Sequence, residues 1–167
     1  MTFSDIPAGE SVFVDANTLI YHFAGDPNYG PACRDFLQRI ENQELRGVTS
    51  AHVLGEVSHR IMTLEAINRF GWPVKGIAVR LRKHRSEIPQ LQVARQAIAT
   101  ISKLGIDVIA TTQQLVELAC SLCSQHELLM NDGLVVAVMQ MNSLIHLASR
   151  DSDFDRVAGI VRYSPVG

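Results

Sequence analysis

The chain has 167 residues, 47% hydrophobic and 19% charged, which fits one compact domain and argues against a disordered chain. At that length roughly 70% of the unfolded surface is buried on folding, so a core can form without disulfide or metal staples. A net charge of −2 excludes a basic coat over the whole protein, although an average says nothing about how the charge is distributed.

Ser11-Val-Phe-Val14 is a β-branched and aromatic run that predicts a buried strand ending at Asp15. Thr18 to Phe23 reads as a short helix, followed by a loop at Gly25, Asp26, Pro27, Asn28 and Gly30. Pro31 suits the first turn of a helix to about Asn42. A brief strand at Val48 and Thr49 leads to Ser50, an N-cap for a long helix from Ala51 to about Phe70. In that helix Leu54, Val57, Ile61 and Leu64 recur at helical spacing and should face the core. Gly71, Trp72 and Pro73 break the pattern, and residues 74–103 read as two helices separated around Pro89. A strand at Asp107–Ala110 precedes Thr112, which caps a helix with Leu115, Leu118, Ala119, Leu122 and Cys123 on one face. Asn131-Asp132-Gly133 opens a helix, Leu134–Met141, that is apolar nearly all round and hence central. Strands at Ile145–Ala148 and Ile160–Tyr163 close the series. Strands alternating with helices predict a three-layer α/β/α sandwich with a mainly parallel sheet.

Three cysteines make no disulfide framework and point to a reducing compartment. Cys120 and Cys123 form a lone CxxC inside an apolar helical pattern, read as two buried thiols and not as half of a zinc site. The opening MTFSDIPAGE has neither the basic region nor the apolar core of a signal peptide, and no apolar run approaches the ~20 residues of a membrane span. A cytoplasmic protein without membrane association is expected.

In an open parallel sheet, function lies beyond the C-terminal ends of the strands. Asp15 ends the first strand, and Asp151 and Asp153 follow the strand at 145–148. Asp132 begins the central apolar helix, where the helix dipole favours a carboxylate. Glu56 lies two turns into the long helix at the edge of its apolar stripe. Each has an ordinary alternative as a turn or cap residue. Two carboxylates 4 Å apart repel by ~4 kcal/mol at an effective dielectric of 20, so four together require protons, opposing charge or metal. Arg60 and Arg150 are the nearest cations, and magnesium or manganese suits an all-oxygen site better.

Val14-Asp-Ala-Asn-Thr-Leu-Ile-Tyr21, Glu56, Asn131-Asp132 and Ala148-Ser-Arg-Asp-Ser-Asp-Phe154, in this order and spacing, resemble PIN-domain ribonucleases, particularly VapC-type toxins of toxin–antitoxin pairs. The resemblance implies one PIN-like domain over residues 1–167, with residues 73–103 as a basic helical insertion. It implies hydrolysis of RNA by a site holding Mg²⁺ or Mn²⁺ on Asp15, Glu56, Asp132 and Asp151. Asp153 would contribute further, and Asn17 and Ser149 would orient waters or the scissile phosphate. It also implies a homodimer and a cognate antitoxin partner. No histidine is required: His22, His59 and His146 read as packing or surface residues.

Residues 73–103 hold seven basic side chains against one acid, a net +6 that leaves −8 for the rest of the chain. Arg80, Arg82, Lys83 and Arg85 are the candidate RNA-binding strip. A solvated helix face and a dock for an acidic antitoxin tail remain alternatives. A haloacid-dehalogenase-like phosphatase is the enzyme rival, but Asn17 stands where its chemistry needs a second Asp. A phosphoreceiver domain lacks its acidic pair and strand-end Lys. A non-catalytic PIN-like binding module is the third alternative.

Overall fold

A computed structural model describes residues 1–166. Five strands form one sheet: β1 (Ser11–Val14), β2 (Arg46–Ser50), β3 (Asp107–Ile109), β4 (His146–Ala148) and β5 (Val161–Tyr163). Their order is β3-β2-β1-β4-β5 and every pairing is parallel, so the sheet is wholly parallel. β1 lies in the middle, with Phe13 opposite both Val48 and Leu147. Its Val12, Phe13 and Val14 are sealed from solvent, as a strand covered on both faces requires.

The helices are α1 (Ala16–Phe23), α2 (Gly30–Glu41), α3 (Ala51–Phe70), α4 (Ile77–Lys83), α5 (Val93–Ile101), α6 (Gln113–His126) and α7 (Met130–Met141). A 3₁₀ turn at Arg85–Gln90, containing Pro89, separates α4 from α5. α3 runs over the expected residues: Ser50 Oγ accepts the Val53 N–H at 3.3 Å, and Gly71 takes the left-handed conformation that ends it. Val57 and Ile61 are buried on its core face, whereas Leu54 and Leu64 are half-buried at the rim.

Two elements begin earlier than expected. α1 starts at Ala16 because Asp15 caps it, its side chain accepting the Ala16 N–H. α7 starts at Met130, so Asp132 lies in its first turn and not ahead of it. Leu134 to Met139 are all buried in α7, the central helix. At its start Gly133 lies so close to α6 that a Cβ there would collide with Cys123 Sγ and crowd the Ala119 carbonyl.

The CxxC reading is corrected. Cys120 is exposed and Cys123 half-buried, its thiol donating to the Leu129 carbonyl. α6 buries only the face carrying Leu115, Ala119 and Leu122, and Cys120 points about 100° away from Ala119. Cys33 is the buried cysteine, and desolvation pushes its thiol up to about 12.

The strand order fixes where a site can form. From β1 the chain steps outwards through β2 to β3, then crosses back to β4 and β5 on the other side. Right-handed crossovers in opposite directions deliver helices to both faces of the sheet. They also open a crevice beyond the C-terminal ends of β1 and β4, where the order reverses. No helix is long and apolar enough to cross a membrane among the described residues.

Candidate active site

Asp15 and Ser149 stand at this crevice, one residue beyond β1 and β4 respectively. Thr18 Oγ1 donates to the Ala148 carbonyl at 2.9 Å, and Thr49 Oγ1 to the Val14 carbonyl at 2.9 Å, fastening the strand ends to each other and to α1. Both hydroxyls are buried.

The Ser149 hydroxyl is the hub of the network. It donates to Asp15 Oδ2 at 2.6 Å and accepts from Asn17 Nδ2 at 2.9 Å and from the Asp151 N–H at 3.0 Å. Asn17 Nδ2 also reaches Asp15 Oδ2 at 2.6 Å, while Asn17 Oδ1 accepts the Arg150 N–H at 3.1 Å. Asp15 Oδ1 takes the Ala16 N–H at 2.7 Å. One carboxylate, one amide and one hydroxyl thus hold each other across more than 130 residues of sequence.

Asp132 feels the charges of Glu56, Asp151 and Asp153, and Asp15 those of Glu56 and Asp132. Burial pushes the Asp15 carboxyl up to about 6, against the hydrogen bonds from Ser149 and Ala16, with the charges of Glu56 and Asp132 adding to the rise. Desolvation likewise lifts Asp132 to about 6, helped by Asp151, Asp153 and Glu56 and opposed by the Leu129 backbone. Asn131 Nδ2 donates to Glu56 Oε2 at 3.3 Å, linking α7 to α3.

Asp151 and Asp153 are distinguished by their partners. Asp151 caps the 3₁₀ turn Ser152–Arg156, its Oδ1 accepting the Asp153 N–H at 2.9 Å. Asp153 is ion-paired to Arg156 at 3.1 Å. Among the described residues, Asp15, Glu56, Asp132 and Asp151 have no ion-paired cation. Partial neutralisation by Arg60 and Arg150, the weaker option beside a metal, is not seen on the same ground. Arg150 instead lies over the Tyr29 ring, and Arg60 lines a neighbouring cleft.

The donor chemistry fits a hard divalent cation, with all-oxygen ligands and two carboxyls raised mainly by burial and further by their acidic neighbours. As placed, no three histidine, cysteine, aspartate or glutamate side chains cage one ion among the described residues. The fit is therefore in the chemistry and charge of the donor set, not in a closed cage.

The basic strip is not part of this crevice. Arg80, Arg82, Lys83 and Arg85 are exposed at the end of α4 and just beyond it. α4 rests on the far half of α3, where Leu81 joins Ala66 and Leu91 in a small separate cluster. Glu56 and Ala66 are ten residues apart on α3, about 15 Å along the helix axis.

Some supporting residues escaped the sequence reading. Arg162 donates twice to Asp155, at 2.7 and 2.8 Å, and once to the Ser149 carbonyl at 3.3 Å, bracing the loop that carries Asp151. Thr18 and Thr49, read only as parts of a short helix and a strand, prove to be the hydroxyls that tie the strand ends together. His146, buried at the opposite end of β4, contacts Tyr163 and Glu10 and takes no part here.

Comparison with known proteins decides the family. The PIN domain family model matches residues 12–160, spanning all five expected acids. The chain belongs to the PIN domain family. That membership removes the phosphatase and phosphoreceiver alternatives. Among solved structures, VapC20 of Mycobacterium tuberculosis, a toxin that cleaves the sarcin–ricin loop, is similar at 24% identity and a TM-score of 0.59, covering 90% of this chain and 96% of that one. VapBC2 of Rickettsia felis, bound to a DNA fragment from its promoter, matches at 13% identity and a TM-score of 0.59, with 93% and 98% covered. A toxin–antitoxin complex from Klebsiella pneumoniae matches at 22% identity and a TM-score of 0.53, with 90% and 95% covered. At these identities the likeness is one of fold. No curated protein matches the chain by sequence.

Proposed function

We propose that this PIN-domain chain is a metal-dependent endoribonuclease and the toxin member of a toxin–antitoxin pair. The observation that carries the reading is the set of acids at the β1/β4 crevice, of which Asp15, Glu56, Asp132 and Asp151 lack any ion-paired cation among the described residues. Asp15 is buried, Asp132 and Asp151 half-buried and Glu56 exposed at the rim, and charge of one sign gathered around a buried carboxylate is costly unless something opposes it. Asp15, Glu56, Asp132 and Asp151 would hold Mg²⁺ or Mn²⁺, with Asp153 contributing from beside its Arg156 partner.

When bound, such a cation would acidify water and stabilise the charge developing at the scissile phosphate. The chain's own residues do the positioning. Asp15 is locked by hydrogen bonds from Ala16, Asn17 and Ser149, so its carboxylate cannot swing to another partner. Ser149 and Asn17 hold it there and orient waters or the phosphate beside it. Arg162 and the cap formed by Asp151 keep the following loop in register. Arg80, Arg82, Lys83 and Arg85 serve as a distant strip that gathers RNA through its phosphates. Residues 73–103 are then a basic insertion in a single domain spanning residues 1–167.

The named structural relatives are toxins or toxin–antitoxin complexes, which supports an antitoxin partner for this chain. A homodimer in the cytoplasm completes the reading. The test is inducible expression of wild type and Asp15→Asn with RNA-end mapping, followed by cleavage of the mapped RNA with Mg²⁺, Mn²⁺ or a chelator. Growth arrest and defined ends are expected with wild type only, and activity should vanish with the chelator. Full cleavage by D15N would overturn the assignment. A folded wild type that cuts no RNA would favour a non-catalytic binding module.

A further inference from the structure

Beside the carboxylates lies a cluster that the network above does not use. Tyr21 on α1 and Tyr29 ahead of α2 place their rings 5.0 Å apart, tilted by 41°. The Arg150 guanidinium carbon lies 4.5 Å over the Tyr29 ring, and Nη1 donates to the Tyr21 hydroxyl at 3.4 Å. Arg150 is exposed, and among the described residues it pairs with no carboxylate, although Asp151 is its neighbour in sequence. The tyrosines thus hold a cation beside an acidic site without letting an acid neutralise it.

The cluster is built into the crevice. The Arg150 N–H donates to Asn17 Oδ1, and the Asn17 amide holds Asp15. A cleft of about 470 Å³ is lined by Asn17, Tyr21, Arg150, Asp151 and Ser152, within the size range of small-ligand sites. A second cleft of about 420 Å³ meets it at Asn17 and Tyr21 and continues past Arg60 on α3. Arg150 shares the first cleft with Asn17 and Asp151, so a nucleotide whose phosphate lay at those two residues would have the Arg150 side chain within the same cleft.

We propose that Arg150, stacked on Tyr29 and tethered by Tyr21, is the stacking platform for the nucleobase next to the scissile phosphate. The proposal rests on the ribonuclease reading and adds to it a residue-level account of single-strand recognition. Unstacked bases of single-stranded RNA settle on aromatic rings and on guanidinium planes, whereas bases in a duplex are already stacked on each other. Stacking accepts any base, so this subsite selects unpaired RNA and leaves sequence choice to other contacts.

The experiment measures binding in the Asp15→Asn background, which prevents cleavage. Anisotropy titrations use a labelled mixed-sequence single-stranded RNA and a duplex of the same length. Arg150→Ala and Tyr29→Leu should weaken single-strand binding roughly 5- to 100-fold and barely alter duplex binding. Arg150→Lys, which keeps the charge and loses the plane, should resemble the alanine variant, and Tyr29→Phe should resemble the parent. Thermal unfolding checks Tyr29→Leu; if it is unfolded, exposed Arg150 decides the matter. Unchanged single-strand affinity, or an equal loss on the duplex, overturns the subsite alone. A parent that binds no RNA overturns the ribonuclease reading and the subsite with it.

Discussion

Ser149 at the end of β4 is sealed from solvent and holds three partners at 2.6 to 3.0 Å. Arg80, Arg82, Lys83 and Arg85 are all exposed, at the end of α4 and in the turn after it, beside a cluster of only three buried residues. The crevice pays for its precision by burying carboxyls beside like charges, which raises Asp15 and Asp132 to about 6. The basic segment keeps its charges in water, where they cost little and bind loosely. The contrast separates two tasks: setting a reacting group demands desolvated, cross-linked side chains, whereas gathering a polyanion needs only accessible charge.

The largest effect expected from this contrast concerns stability. Asp15 has a folded pKa of about 6, above the ~3.9 of an unfolded aspartate. A raised pKa means that the folded state holds the proton more tightly. The contribution to folding is therefore full below about pH 4 and is lost as pH rises through 6, with a cost of roughly 3 kcal/mol at pH 7. Asp15→Asn cannot titrate there. In metal-free urea unfolding its stability relative to wild type should climb by about that amount between pH 4 and pH 7. A flat difference would break the view of the crevice as a strained site.

Ser149→Ala removes one donor to Asp15 and one acceptor for Asn17 and Asp151. Loss of such an outer partner typically costs 10- to 100-fold, so cleavage should fall by roughly that factor, and the unfolding temperature should drop by several degrees because buried partners are left unpaired. The smallest effect belongs to the strip. Replacing Arg80, Arg82 and Arg85 together by alanine should leave kcat unchanged, weaken RNA binding at low salt, and reduce the salt slope by up to about 2. An unchanged slope would make the strip a solvated helix face. A collapse in kcat would merge the two regions into one site.

Much of the frame was legible because it is periodic and local. The Ser50 cap, the run of α3 to Phe70 and the all-round apolar α7 follow from spacing and capping chemistry. The strand-end positions of Asp15 and Asp151 were readable from the alternation of strands and helices. Exposure was harder. Cys120 lies within an apolar helix yet faces solvent, because α6 packs on one side only. Arg150 was legible only as one of the two cations nearest the acids in sequence, whereas folding places it on Tyr29, more than a hundred residues away.

By itself the sequence determined the order of elements, the parallel sheet and which acids end its strands, since periodicity, caps and breakers act over a few residues. Only the tertiary structure decided what those acids meet. Ser149 reaches Asp15 across 134 residues, Asn131 reaches Glu56 across 75, and Arg150 turns to a tyrosine pair in preference to a carboxylate. Such contacts depend on strand order, and strand order follows from how the whole chain buries its apolar faces.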